Sequence, residues 1–398
     1  MIFNQRIQNL QKQMQANGLE VAVYATSASL QYLLDDTSYY WQRTPETGFY
    51  AKLDMEGCPP VSDETSYFHF KPDAILFVPA QGSATLLATF DRAARFGNVK
   101  ADIICHFVML GDYLSGLLHG EKVVGVGLAC ESALKTMLLE HHPALALQKA
   151  EPLVEALRLI KDSKEIVAMR RVAEFTDACM AKVEKMLRPG VTQWEVETEL
   201  NRLAVEHGCQ DVPFTPTCSF TKTDDPRCMD FHGIPKDEPL TPGTAIAFDN
   251  GFVMDGYCSD FGRSFYCGKA PEHIAGAYKA LQTAQLELFE KIRPGVSISV
   301  TFRTIYETME RFGYAKWLRN FGGVGLMGHQ IGIDVHEGPW LHDNSVETFQ
   351  PGMTMCIEPK VFIPGQVFMR VEDMVLITEN GCESLTKFDR ELYELPFD

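Results

Sequence analysis

Polar and apolar positions along the first 150 or so residues switch repeatedly between two periods. Ile7, Leu10 and Met14 recur at helical spacing among polar residues, and that pattern, spanning about residues 3–17, stops at Gly18, a natural helix terminator. Short apolar runs at residues 21–24, 74–78 and 123–126 predict buried strands. A helical stretch follows Cys130 and ends near Pro143. Alternation of this kind predicts an α/β domain. Residues 39–70 break the pattern, being irregular and rich in aromatics, Pro and Gly, as in a lid, a binding loop or a surface insertion.

The pattern divides the chain into a first domain at residues 1–156 and a second at 157–398. Beyond Leu157, Ser163 is placed to cap a helix whose first turn holds Glu165. The second domain carries a faint internal repeat. Arg188-Pro189-Gly190-Val191-Thr192 returns as Arg293-Pro294-Gly295-Val296-Ser297, each between two helical patterns, with Thr192 or Ser297 as N-cap. Two related halves would place a site at the interface between them.

Two hairpins in this domain carry the acids of interest. Residues 245–252 run apolar, turn near Met254-Asp255-Gly256 and return through residues 257–266. A turn centred on Met254-Asp255 sets Asp249 directly opposite Asp260. One centred on Asp255-Gly256 slides the pairing by two positions and keeps both carboxylates on one face, because strand side chains alternate with period two. Like charges across adjacent strands repel, and a cation between them reverses the sign. Near the C-terminus, a hairpin centred on Gly365 brings Glu358 opposite Glu372, both within apolar-rich runs. Buried carboxylates are rare unless paired or bound to metal. Any one of these acids alone reads as a surface charge or a salt bridge; the set does not.

Histidines complete the picture: His329 in Gly328-His329-Gln330, His336 in Val335-His336-Glu337, and His232 ahead of the first hairpin. Asp249, Asp260, His329, Glu358 and Glu372 form a set of hard oxygens plus one nitrogen. That set suits two divalent ions such as Mn, Co, Fe or Zn, and lacks the thiolates of a structural zinc site. Carboxylates can bridge such ions and hold a hydroxide between them. Residues 323–328 spell GxGxxG, but a dinucleotide site needs that motif between a strand and a helix. Here it runs straight into His329 and a strand-like pattern, which predicts pliable backbone beside a metal ligand.

Composition narrows the partners. With 398 residues, 45% hydrophobic and 22% charged, the chain has material for the cores of two soluble domains. Its 53 acidic residues against 36 basic ones give a net charge of -17, which disfavours a nucleic-acid partner and repels anionic membrane surfaces. The first residues lack a signal-peptide pattern, and no apolar run is long enough to span a bilayer. Eleven scattered cysteines without a CxxC pair fit reduced thiols in a cytoplasmic protein rather than a disulfide framework.

In this order, Asp249 and Asp260 with Asp255-Gly256-Tyr257-Cys258-Ser259 before the second acid, Gly328-His329, Val335-His336-Glu337, Ile357-Glu358-Pro359 and Arg370-Val371-Glu372-Asp373 resemble the pita-bread metallopeptidase superfamily. The resemblance is to its prolidase, aminopeptidase P and creatinase branch and covers about residue 157 onward; the first domain is similar to the branch's creatinase-like α/β domain in general pattern only. It implies an α+β pita-bread catalytic domain with Asp249, Asp260, His329, Glu358 and Glu372 as ligands of two divalent ions, Asp260 and Glu372 bridging. It further implies His232 and His336 as substrate contacts, Glu358 as acid/base, Arg370 as an orienting cation, an Xaa-Pro peptide substrate and a homodimer. Hydrolysis or lysis of a non-peptide small molecule (an ectoine-type amide, a creatine-like or a sulfonium compound) stays open on the same scaffold, as does a non-catalytic binding role. Lys360, after Glu358-Pro359, departs from the pattern, where a glycine is common.

Overall fold

The computed structural model describes residues 2–41, 72–90, 93–95, 98–128, 131–229, 233–319 and 325–396. They form two compact units, Met1–Leu159 and Ile160–Asp398.

The first unit is built on a six-stranded sheet, in the order Ile103–Cys105, Thr85–Thr89, Ala74–Pro79, Val21–Ala25, Val123–Val126, Ala146–Lys149. The three apolar runs of the sequence are strands at its centre. Val21–Ala25 pairs antiparallel with Ala74–Pro79 and parallel with Val123–Val126. Every residue of Val21–Ala25 is buried, so the sequence there shows an unbroken apolar run instead of alternation. The helix Gln5–Ala16 is capped by Asn4, whose side chain accepts from the Ile7 amide, and Gly18 leaves it at φ +69°. Trp41, at the start of the irregular stretch, is fully buried and donates its indole N–H to Asp36 at 3.1 Å. Residues 42–71 lie outside the described residues.

In the second unit the helix Ser163–Val183 is capped one residue earlier than expected. Asp162, in extended conformation, accepts from the amides of Lys164 and Glu165, while the Glu165 side chain accepts from the Asp162 amide. Ser163 is already helical, so its hydroxyl cannot serve as the cap.

The five-residue repeat marks two halves with matching local bonding. The Gly190 amide donates to the Leu240 carbonyl and the Leu240 amide to Val191; likewise Gly295 donates to Phe349, and Phe349 to Val296. Both turn glycines need positive φ, +96° and +83°. Thr192 caps the helix Gln193–Glu206 in a capping box with Glu195. Ser297 does not cap the helix Val300–Arg311: the N-cap is Ser299, and the Ser297 hydroxyl accepts from the Ser299 amide at 3.3 Å. The partner segments, at Leu240 and Phe349, are each followed closely by Pro-Gly and by a strand leading to a site acid, Thr244–Asp249 and Thr354–Ile357.

The first strand belongs to a four-stranded sheet ordered Tyr393–Leu395, Ser264–Cys267, Thr244–Asp249, Thr217–Lys222. The second belongs to a five-stranded sheet ordered Glu337–Trp340, Gly328–Gln330, Thr354–Ile357, Asp373–Ile377, Cys382–Ser384. Phe220, Phe248, Phe252, Phe261 and Phe265 fill the core of the first half, with Val196 and Leu200 of the helix Gln193–Glu206 against them. Apolar packing thus fixes the strands from behind and leaves their acid-bearing ends to the site.

Candidate metal centre

In the first hairpin Met254 pairs with Tyr257, so Asp255 and Gly256 make the turn, at φ +50° and +75°. A type I′ turn requires both of its central residues in the left-handed region, as they are here. The same register continues through Asn250 with Phe261 and Ala247 with Ser264. Asp249 therefore faces Gly262, and the directly opposed register with Asp260 is not the one adopted. The two acids are offset by two positions and share a face. Gly262 cannot be larger: a Cβ there would lie 2.1 Å from Arg370 Cδ, because that side chain crosses the strand at this point.

The second hairpin has the expected centre, with Gly365 at φ +70°. Lys360 pairs with Arg370, and Ile357 with Asp373, in one continuous register. Glu358 and Glu372 face each other in the gap, where Pro359 has no amide to extend the ladder. The Glu372 amide donates to the Gly262 carbonyl at 2.8 Å, tying the two hairpins together at the site.

His329 comes from the strand Gly328–Gln330. Its Nδ1 lies 3.1 Å from the Gln330 carbonyl, so the ring proton sits on Nδ1 and the Nε2 lone pair faces the acids. Nε2 is 3.4 Å from Asp260 and 3.9 Å from Glu358. Arg370 Nη1 lies 2.5 Å from Asp249 and 3.0 Å from Glu372. Asp260 Oδ1, His329 Nε2 and Glu372 Oε1 are buried without a hydrogen-bond partner. Three orphaned donors of this kind, desolvated together, are what a divalent cation would satisfy. Asp260, His329, Glu372 and Cys356 each offer an atom within 4.8 Å of all the others, a spacing that suits one ion.

The electrostatics agree. Burial, then the charge of Asp249, pushes the Asp260 carboxyl up to about 6. Burial and the neighbouring Asp260 and Glu358 carry Glu372 well above the carboxylate range. Burial also opposes ionisation of Glu358, but Lys360, His329 and Arg370 together outweigh it and hold that carboxyl at about 2. Burial, then His329, lowers His336 to about 4, so its ring is neutral at neutral pH.

His336 packs edge-on to His329 at 4.5 Å between centroids and stacks on Trp340 at 5.8 Å. Trp340 keeps 41% of its surface exposed and lies against both histidines, its ring 5.7 Å from that of His329. His232 lies outside the described residues. Arg227, five positions before it, is an exposed arginine ion-paired with Asp225 and Glu238.

Several supporting residues have no signal of their own in the sequence. Arg263, fully buried, donates to the Glu372 carbonyl at 2.5 Å and to Asp373 at 2.6 Å, and Arg390 donates to the other Asp373 oxygen at 2.7 Å. Gln285 donates to the carbonyls of Ile357 and Val371, the residues just before the two glutamates. The Ser264 hydroxyl accepts from the Arg370 amide and donates to its carbonyl. Lys161 pairs with Glu337 at 3.0 Å, both buried, and Glu337 also accepts from the Asp334 amide, which fixes the loop carrying His336. Cys356, two positions before Glu358, reads in the sequence as core; its thiol is pushed far above the usual range by burial and by the surrounding acids.

A model of metallopeptidase family M24 matches residues 167–379 of the chain. Among curated proteins, the chain is 30% identical over 329 residues to a probable dipeptidase PepE of Mycobacterium tuberculosis, covering 81% of this chain and 85% of that protein. It is 27% identical over 283 residues to an Xaa-Pro dipeptidase of Pyrococcus furiosus, covering 71% and 78%. The prolidase from Pyrococcus horikoshii matches in structure with a TM-score of 0.79 at 21% identity, covering 98% of this chain and all of that one. The first unit is thus included in the shared fold, a creatinase-like α/β domain ahead of a pita-bread domain.

Proposed function

Because the chain belongs to metallopeptidase family M24, we propose that it hydrolyses Xaa-Pro peptides at two divalent ions held by Asp249, Asp260, His329, Glu358 and Glu372. The observation that carries this reading is the convergence of Asp260 Oδ1, His329 Nε2 and Glu372 Oε1, buried and unpartnered, inside a ring of further acids. The donors fit such ions by their chemistry, four carboxylates with an imidazole whose lone pair already faces them. Manganese, cobalt, zinc and iron all suit the set. When bound, the ions lower the pKa of a water and polarise the scissile carbonyl.

The remaining work falls to the protein's own side chains. Asp260 and Glu372, the most deeply buried of the four acids, would hold the ions together with Asp249, His329 and Glu358. Glu358, held ionised by its cationic neighbours, takes the proton of the attacking water and passes it to the leaving nitrogen. His336 is neutral and donates N–H to the carbonyl oxygen as negative charge grows there, with His232 as its counterpart. Arg370 keeps Asp249 and Glu372 oriented through its two contacts. The Xaa-Pro dipeptidase and prolidase relatives from Pyrococcus support proline specificity, and the family resemblance supports a homodimer.

The test is direct. Protein loaded with manganese or cobalt should release the first residue of Xaa-Pro dipeptides, and a chelator should abolish the release. Inactivity across a broad Xaa-Pro panel, with the metal shown to be bound, would sink the substrate assignment.

A further inference from the structure

Lys360 stands where the family resemblance leads one to expect a glycine, and its one part in the site as assigned is as a counter-ion of Glu358. Its Nζ is paired with Glu358 Oε2, and its side chain keeps 19% of its surface exposed. Lys360 is directly opposite Arg370 in the antiparallel hairpin, so the two side chains leave the same face of the ribbon. Arg370 reaches Asp249 and Glu372 from that face. A third cation lies at the same edge: the Arg319 amide donates to the Lys360 carbonyl at 2.8 Å. The guanidinium of Arg319 sits over the Phe368 ring at 5.4 Å, the ring that Arg370 also covers at 5.9 Å.

Charge balance then poses a question. Asp249, Asp260, Glu358 and Glu372 set four negative charges against the two positive charges of Lys360 and Arg370. One divalent ion brings that group to neutrality, and a second makes it cationic. Glu358, once it ligates an ion, is also a poorer partner for an ammonium group, since the two cations repel across one carboxylate. The backbone of Lys360 is held in the strand Lys360–Ile363, which keeps the residue at this edge of the site. A carboxylate supplied by the substrate would offset part of that excess positive charge.

We propose that Lys360, with Arg319 beside it, binds a carboxylate of the substrate next to the scissile amide. The proposal rests on the peptidase reading of the site and refines it: the enzyme takes peptides with an anionic group at this edge. Two sources share that chemistry. One is the free C-terminal carboxylate of a dipeptide, which would make the enzyme a dipeptidase; the other is an Asp or Glu side chain.

The full-length, metal-loaded protein is titrated calorimetrically with proline and prolinamide, and with glutamyl-prolinamide and glutaminyl-prolinamide. The wild type is compared with Lys360→Met and Lys360→Arg, and metal per chain is measured in all three. The expected result is a preference of about tenfold or more for one carboxylate over its amide in the wild type, the scale of a charge-assisted hydrogen bond. Lys360→Met should lose that preference, and Lys360→Arg should keep most of it. Discrimination within the first pair of probes identifies the terminal carboxylate, and within the second an acidic side chain. A preference that survives in Lys360→Met overturns the proposal, as does equal binding of acid and amide by the wild type. So does a Lys360→Met that alters only metal content, since Lys360 is then merely a counter-ion of Glu358. Lys360-dependent carboxylate binding without turnover of any peptide would sink the peptidase reading and leave this anion site standing.

Discussion

His329 spends its Nδ1 proton on the Gln330 carbonyl, and that leaves a lone pair in a pocket of acids. Its replacement by alanine should weaken metal binding by about 100-fold or more, beyond the usual cost of losing a supporting residue. His336→Ala should retain the metal and lose about 100-fold or more in kcat, the scale of a lost proton donor or oxyanion contact. Metal content and turnover measured side by side separate the two, and a His336 variant without metal would contradict the assignment. Asp260 contributes to the pH dependence alongside Glu372, whose carboxyl is also raised by burial and its acidic neighbours. The Asp260 carboxyl is raised from 3.8 to about 6, so its contribution to the metal-free fold is complete below about pH 4 and is lost as pH rises through 6. Metal binding needs the ionised form and is opposed by protons below that point. The melting-temperature gap between metal-loaded and chelator-treated protein should therefore widen from pH 5 to 7.5. Calorimetry that shows it narrowing would count against Asp260 as a ligand.

At the level of strands and turns, the site acids are legible in the sequence. Period-two alternation puts Asp249 with Asp260, and Glu358 with Glu372, on common faces, and Gly365 marks the second turn. The first turn leaves two registers open, and only the left-handed backbone at Asp255 and Gly256 decides between them. What stays illegible has a common cause: Arg263, Gln285, Arg390 and Cys356 act through contacts with residues far away in the chain, and no local period announces such contacts. The cap expected at Ser163 falls one residue away for a different reason, since Asp162 and Ser163 are both competent and backbone conformation selects. The strand Gly328–Gln330 offers a test at this scale. Gly328 has φ +147°, and a Cβ there would lie 2.0 Å from the Cys356 carbonyl oxygen. Gly328→Ala should cost about 2–4 kcal/mol in urea unfolding, from backbone strain plus a forced shift of the neighbouring strand. A cost below about 0.5 kcal/mol, the level of an ordinary surface change, would show that the strand gives way freely.

Every described candidate ligand lies in the unit Ile160–Asp398, so that unit produced alone should bind divalent metal. A folded fragment that takes up none would place a required donor elsewhere in the chain. The sequence tells the second unit's chemistry far better than the first unit's purpose, because ligands must be particular residues whereas an α/β framework tolerates many. Within the second unit, the Arg-Pro-Gly-Val turn at residue 188 and its echo at residue 293 divide the proposed ligands. Asp249 and Asp260 come from the half that follows the first turn; His329, Glu358 and Glu372 come from the half that follows the second. Neither half holds the whole proposed set. On that assignment ion uptake would be a checkpoint on assembly: a chain whose halves had docked in the wrong register would have nowhere to put its metal, and such misfolded copies would identify themselves by remaining empty.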